Sequence, residues 1–322
     1  MNIFVTGGSG FVGQNIIPLL IENGHTIYAL ARSQKSAKKV NELGAIPVLD
    51  DLVSLSENTE EALSYCDAVV HSAAYMNFTY DKKTFYDVNV KATENLLSLS
   101  KKNKVNTFVY ISAAPVIAGS PIINAKEIDA SFKLPKALYP KTKAIAERKV
   151  LGENSKSFIT ISLRPPAIWG NNNHHYEEFF SRAVEGKWKW LGKGDQILST
   201  IHIKNLGNAI IAALKSNKGG EAYFVTDGER RPMKDFFTAI LKSQGIDPGN
   251  KSIPLSAASF LANMIDIIWR VFRIKSKPPV APIMIRLMGR EFSVNDSKAR
   301  KELGYTNAIS IKEGIEELYK KA

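Results

Sequence analysis

Cysteine is nearly absent: Cys66 is the one cysteine among 322 residues. An intrachain disulfide and a cysteine metal site are therefore both excluded. Cys66 sits in Leu63-Ser64-Tyr65-Cys66-Asp67, just before an apolar stretch, where a free thiol behaves as a small buried hydrophobe. Such usage fits a reducing compartment, so a cytoplasmic location is expected. No uninterrupted apolar run reaches membrane-spanning length. The chain opens Met1-Asn2-Ile3-Phe4-Val5-Thr6 straight into a glycine turn, without the basic region and cleavage site of a signal peptide. Histidine is scarce too. The adjacent pair His174-His175 has no carboxylate or cysteine partner at ligand spacing, so no metal site is expected.

The formal charge is +12. Basic residues are nevertheless interleaved with acids, apart from short clusters such as Lys101-Lys102-Asn103-Lys104, so nucleic acid is not expected as a partner. A phosphorylated cofactor or an acidic lipid surface makes better use of the excess. Apolar residues make up 44% of the chain, enough for a full core.

The first half alternates strand and helix. Strands are expected at 2–6, 25–31, 45–49, 68–71, 107–112 and 158–163, with helices at 11–22, 82–102 and 137–151. This pattern specifies an α/β fold with a parallel sheet covered on both faces, and the doubly wound sheet is its simplest form. After Arg164-Pro165-Pro166 the composition changes, and regular elements return as a helix over 201–214 and a strand over 222–226. The expected division is a nucleotide-binding domain over residues 1–166, with return elements at about 201–226. A smaller, interleaved C-terminal lobe takes 167–200 and 227–322.

The first strand ends in Thr6-Gly7-Gly8-Ser9-Gly10-Phe11-Val12-Gly13. Glycine allows the tight turn and lets backbone N–H groups approach a pyrophosphate. The N-terminus of the following helix, at Phe11 and Val12, adds partial positive charge. The last glycine allows close packing of helix on sheet. The second strand ends Ala29-Leu30-Ala31-Arg32-Ser33. No acid is present to take the ribose 2′-OH, and Arg32 can fork onto a 2′-phosphate, so NADP(H) is favoured over NAD(H). Tyr139-Pro140-Lys141-Thr142-Lys143 places Tyr and Lys four apart, on one helix face. A phenol is a poor acid–base group at neutral pH, and a neighbouring ammonium is expected to lower its pKa.

Spaced Gly-x-x-Gly-x-x-Gly, and joined to Tyr139-x-x-x-Lys143, the loop resembles the extended short-chain dehydrogenase/reductases, the epimerase/dehydratase superfamily. The resemblance covers nearly the whole chain and implies a Rossmann fold. It implies that Asp51-Leu52 contacts adenine. Ala73 and Ala74 in His71-Ser72-Ala73-Ala74 would let the cofactor lie close, and Asn89 would have a largely structural role. Pro165, in Arg164-Pro165-Pro166-Ala167-Ile168-Trp169-Gly170, would lie beside the nicotinamide. Tyr139 and Lys143 would be catalytic and would also hold the cofactor. The family's third catalytic group is a Ser or Thr. Counting back from Gly119, its position falls on Ala114, a departure that leaves Ser112, two residues earlier, as the candidate helper.

The order of motifs after residue 223 looks like the 3β-hydroxysteroid dehydrogenase branch, which also resembles bacterial reductases of long-chain 2-alkyl-3-oxoalkanoates. That resemblance implies interconversion of hydroxyl and ketone on a small hydrophobic substrate, sterol-like or a long-chain β-hydroxy/β-keto compound. A nucleotide-sugar epimerase or dehydratase and a catalytically silent NADP(H)-binding sensor are the alternatives. The apolar stretch 256–274 is interrupted by Asp266 and Arg270. It reads first as a core helix, otherwise as a lid over the substrate or an interfacial membrane helix with Arg273, Lys275 and Lys277 on lipid phosphates. Peripheral membrane contact is expected on the last of these readings, and the family resemblance implies a homodimer, paired through the helices after the fourth and fifth strands.

Overall fold

Seven short, mostly apolar segments pair in parallel register. They are β1 (Asn2–Thr6), β2 (Thr26–Ala31), β3 (Ile46–Leu49), β4 (Ala68–His71), β5 (Thr107–Ile111), β6 (Ile159–Arg164) and β7 (Glu221–Phe224). The sheet order is β7-β6-β5-β4-β1-β2-β3, every neighbouring pair parallel. The doubly wound α/β sheet expected from the sequence is therefore present. The computed structural model describes all residues except 78, 118–121, 130–132, 172, 174–176, 273, 275 and 320–322, and the side chains of 177–179 and 182. His174, His175, Arg273 and Lys275 thus lie outside the described residues.

Both faces of the sheet are covered by helices. On one, α1 (Phe11–Glu22) packs beside the helix Ile203–Leu214, burying Ile16, Ile17, Leu206 and Ile210 against Ile3, Val5 and Val109. On the other, α2 (Ala92–Lys102) and α3 (Leu138–Gly152) cover Phe4, Phe108 and Tyr110 with Leu96, Ala146 and Val150. A third core, with Trp169, Trp190, Phe236, Phe237 and Phe292, lies under the later part of the chain. β1 pairs with β2 on one side and β4 on the other, so the chain reverses its direction of progress across the sheet there. In open α/β sheets that reversal opens the crevice where ligands bind.

Several elements differ from expectation. The helix expected over 201–214 begins at Ile203, because Thr200–His202 pairs as a strand with Ala167–Trp169 and the His202 ring caps the helix at Lys204 N. The helix expected over 82–102 is interrupted by a π-turn at Asp87–Lys91. A four-stranded sheet joining Ile122–Ala125, Ile197–Leu198, Arg231–Pro232 and Phe292–Val294 was not expected. The stretch 256–274 is not a core helix: of the helix Leu255–Val271 only Ala258 and Ala262 are buried.

Asp227 ties together segments far apart in the chain. It is buried, and its carboxylate accepts from Trp169 Nε1 (2.7 Å), Thr200 Oγ1 (2.8 Å), His202 N (2.6 Å) and Asn205 Nδ2 (2.8 Å). Asn307 Nδ2 donates to its backbone carbonyl at 2.6 Å. Asp227→Ala would leave four donors without their acceptor. We expect a loss of about 3–5 kcal/mol in stability, read by urea unfolding. A change under about 1 kcal/mol would show that the carboxylate is not the joint described.

Candidate active site

The glycine turn lies at the crevice, and each glycine does a distinct job. Gly7 has φ +72°, and a Cβ there would lie 2.8 Å from Ala73 N, so the β4 segment can approach only a glycine. A Cβ on Gly13 would come within 2.3 Å of Gly7 O, so α1 can lie against the turn only through glycine. Gly10 caps α1 and is exposed, and a Cβ there would meet one atom, Gly7 O at 3.3 Å. No side chain caps α1. Its first N–H groups, at Phe11 and Val12, therefore face the open side of Gly10 with no intrahelical partner. These features fit a dinucleotide pyrophosphate.

Beside the turn, buried polar contacts clip β1 to β4. Thr6 Oγ1 bonds His71 Nδ1 (2.6 Å) and accepts from Ala73 N (3.2 Å), while Ser72 Oγ donates to Thr6 O (2.7 Å). His71 Nε2 bonds Thr93 Oγ1 at 2.8 Å, which ties the clip to α2. Burial, aided by the positive charge of Lys143, pulls His71 down to about 3. The ring is thus a neutral strut. Ala73 is half-buried and Ala74 exposed along the crevice. Arg32 is exposed at the end of β2 and forms no ion pair among the described residues. Leu52 is buried, whereas Asp51 is exposed and accepts from Val53 N at 2.9 Å.

Tyr139 and Lys143 stand in the first two turns of α3. Asn89, in the π-turn, braces that helix from the side. Its Nδ2 donates to Thr142 Oγ1 (3.1 Å) and Tyr75 O (3.1 Å), and its Oδ1 accepts from Tyr75 N (2.7 Å). One brace thus positions both α3 and the loop after β4. π-turns concentrate at functional sites because the extra residue breaks the regular ladder.

Lys143 is buried, donates to Ile111 O at 2.6 Å and lies 3.9 Å over the Tyr110 ring. Burial pulls its amine down to about 7, against the opposing pull of Glu147. Tyr139 is half-buried, and burial pushes its phenol up to about 12. This corrects the expectation that a neighbouring ammonium lowers the phenol. Desolvation dominates both groups, and the amine is directed at a strand carbonyl. A phenol near 12 is protonated at neutral pH, and is a weaker acid than a free tyrosine.

Ser112 Oγ is buried and has no hydrogen-bond partner among the described residues. Ser112 N donates to Leu163 O and Ala114 N to Pro165 O, both at 2.8 Å, so the β5–β6 ladder runs on without a bulge. Ser112 therefore shares the face of Tyr110, beneath α3. Tyr110 Oη and Arg164 Nη1, on the same side, are also buried without partners. Ala114 is fully buried and carries no hydroxyl. Pro165 is buried where β6 ends.

Sequence reasoning missed the ion pair beneath this site. Arg164 Nη2 and Nε reach Glu147 Oε1 and Oε2 at 2.7 Å and 3.0 Å, and Ser162 Oγ donates to Oε2 at 2.7 Å. Glu147 stands one helical turn beyond Lys143, a spacing that would have flagged it.

The low amine value has a consequence for stability. The folded Lys143 releases its proton near 7, while an unfolded lysine keeps it to 10.5. Between those values the unfolded chain binds more protons, so stability rises with pH; below 7 the full burial cost is present. Lys143→Met removes that cost. The stability of the variant relative to the parent should be highest at pH 6–7 and fall steadily toward pH 10.5, measured by urea unfolding across pH. Parallel pH curves would refute it.

Residues 4–255 match the 3-beta hydroxysteroid dehydrogenase/isomerase family. The chain is 35% identical over 320 residues to the 4-hydroxy-2-methyl-3-oxo-4-farnesyl-3,4-dihydroquinoline-1-oxide ketoreductase of Stigmatella aurantiaca, covering 99% of this chain and 96% of that one. It is 33% identical to the decarboxylating sterol-4-alpha-carboxylate 3-dehydrogenase of Dictyostelium discoideum, covering 98% and 99%. Among solved structures, the UDP-glucuronic acid 4-epimerase of Bacillus cereus, in complex with UDP-glucuronic acid and NAD, superposes with a TM-score of 0.75 at 20% identity. The alignment covers 99% of this chain and 98% of the epimerase, and shares the fold. The glycine turn, the Tyr–Lys helix and these matches agree: this chain belongs to the 3-beta hydroxysteroid dehydrogenase/isomerase family, oxidoreductases of hydroxyl and ketone groups that use a nicotinamide dinucleotide.

Proposed function

We propose that the protein is an NADP(H)-dependent reductase of a ketone on a hydrophobic substrate, with Tyr139 and Lys143 as its catalytic pair. The observation that carries this reading is the placement of Tyr139, half-buried at the start of α3, with the buried Lys143 amine one turn on. When bound, the dinucleotide supplies the hydride. Tyr139 Oη holds the proton that the forming alkoxide takes, and water restores it. Ser112 supports the same oxygen in place of the hydroxyl that Ala114 lacks. Lys143 orients the cofactor from the end of β5. The names of the relatives, with their farnesyl, sterol and 2-alkyl-3-oxoalkanoate substrates, support an apolar substrate of sterol-like or long-chain β-keto type.

In this reading residues 1–166 carry the cofactor, with Gly7, Gly10 and Gly13 at the pyrophosphate, Asp51, Leu52, Ala73 and Ala74 along the adenine side and Pro165 at the nicotinamide. Residues 167–200 and 227–322 shape the substrate side. Arg32 supports the choice of NADP(H), because its exposed guanidinium is available to a 2′-phosphate. The buried thiol of Cys66, which burial pushes up to about 12, suits a cytoplasmic protein. Peripheral contact with a membrane belongs to the same reading. A homodimer does as well.

Tyr139→Phe should lower ketone reduction by about 100- to 10,000-fold while leaving NADPH binding intact, followed by loss of NADPH absorbance over ketones of increasing chain length. The parent reductase rate should fall as pH rises past about 7, where the Lys143 amine loses its proton, while Tyr139 stays protonated. An active Phe variant removes Tyr139 from the chemistry, and a parent inert on every ketone tested leaves a silent cofactor-binding protein.

Arg32→Ala tests the cofactor separately. Loss of a charge-assisted fork should weaken NADPH binding roughly tenfold or more and leave NADH binding unchanged, by calorimetry. Equal effects on the two dinucleotides would remove Arg32 from the 2′-phosphate.

A further inference from the structure

Tyr110 is fully buried on β5, and the reduction described above gives it no part. Its hydroxyl has no hydrogen-bond partner among the described residues. What it offers its surroundings is the face of its ring. The Lys143 amine lies 3.9 Å from the centroid of that ring, and its Nζ donates to Ile111 O, the next residue of the strand, at 2.6 Å. Two groups of one strand therefore hold the amine, a ring face and a carbonyl. The ring is itself closed in by the sheet and by His71, whose ring centroid lies 5.6 Å from its own.

This contact discriminates between the two forms of the amine. The face of an aromatic ring carries negative charge density and attracts an ammonium, whereas a neutral amine gains far less there. Burial works the other way and draws Lys143 down to about 7. Near neutral pH the two forms are then close to equal, so a contact of modest size decides which prevails. A desolvated cation–π contact changes such a balance by roughly tenfold or more.

The other charged and titratable groups around Lys143 do not supply the same hold. On its own helix, Tyr139 stays protonated at neutral pH. The Glu147 carboxylate favours the ammonium, but its oxygens are bonded to Arg164 and Ser162 of β6. His71, on β4, is neutral. Along the segment 82–102, which packs against α3, Lys83 and Lys91 pair with Asp87, and Glu94 pairs with Lys149 of α3 itself. Lys82, Lys101 and Lys102 on that segment are exposed. Ala114–Val116, which also packs on α3, has no titratable side chain. We infer that Tyr110 is a positioning residue for Lys143, its ring face holding the amine as an ammonium against Ile111 O.

The consequence is a charge kept at the floor of the crevice. As an ammonium, Lys143 carries three donors, of which Ile111 O takes one. The others, and the positive charge, remain for the cofactor and the reacting oxygen. This catalytic consequence rests on the function proposed above; the hold of the ring on the amine does not.

The test reads Lys143 directly. The full chain, with isotope-labelled lysines, is titrated by NMR, and the Lys143 signal is the one that Lys143→Met removes. Tyr110→Phe keeps the ring and should keep the parent midpoint near 7. Tyr110→Leu removes the ring and should lower the midpoint by about one pH unit. A trifluorinated phenylalanine placed at position 110 keeps the shape but withdraws charge from the ring face. It should lower the midpoint as well, and it carries the test should the leucine variant fail to fold. The pH at which ketone reduction falls should move with the midpoint in each chain. Midpoints equal to the parent's in both ring-altered chains would overturn the inference. So would a midpoint lowered by Tyr110→Leu and not by the fluorinated ring, which would assign the effect to packing. A midpoint that Tyr110→Phe lowers as far as Tyr110→Leu would pass the hold to the hydroxyl and overturn it too. Lowered midpoints in a chain that reduces no ketone would keep the role of the ring and remove the proposed function.

Discussion

The buried pair Glu147–Arg164 is the contact on which the rest of the site depends. It joins the helix that carries Tyr139 and Lys143 to the last residue of β6, immediately before Pro165. Taking both charges out of water is costly. The geometry offsets that cost with two guanidinium contacts and the Ser162 hydroxyl. Replacing the pair by apolar residues of similar shape would leave the fold about as stable, but α3 would then be held in rotation only by the Asn89–Thr142 and Lys143–Ile111 contacts nearer its start. The pair acts on the site through position: it sets which way the start of α3 faces, and with it the phenol and the amine. The negative charge of Glu147 also works against the burial that drives Lys143 toward its neutral form.

A second layer of polar struts holds the cofactor side. Thr6, His71 and Thr93 link β1, β4 and α2 through one imidazole that uses both ring nitrogens. Thr93 Oγ1 donates to Asn89 O and so accepts from Nε2, which leaves Nδ1 as the acceptor from Thr6 in the neutral ring that burial enforces. The crevice between β1 and β4 is therefore rigid on the sheet side and open on the loop side, where Gly10 leaves α1 uncapped. A rigid floor with unpaired donors at its rim suits a cofactor that must be held in one orientation.

What the sequence disclosed was local. Gly7, Gly10 and Gly13 lie within one turn, and Tyr139 and Lys143 within one helical repeat, so their spacing, joined to the family resemblance, marked them as candidates. The contacts that orient them span long separations. Thr6 meets His71 across 65 residues, and Asn89 meets Thr142 across 53; no period in the chain encodes either. The stretch 256–274 was misread for a different reason. Periodicity reports that one face of a helix is apolar, not which way that face turns, and in Leu255–Val271 it turns away from the protein. The helix 82–102 was legible as a helix, yet the π-turn inside it leaves no mark on the apolar pattern. The four-stranded sheet escaped notice because three of its strands are only two or three residues long.

The π-turn makes length itself a constraint. Within Asp87–Lys91 the helix holds one residue more than a regular spiral needs, and Asn89 occupies that surplus. Deleting any one residue of the five would heal the ladder while swinging every side chain on the N-terminal side by about 100°. Phe85, now packed edge-on against Tyr75 at 4.8 Å, would turn off its partner. A regular helix is thus one deletion away, and homologues that keep this brace should tolerate substitutions across the segment far better than any change in its residue count.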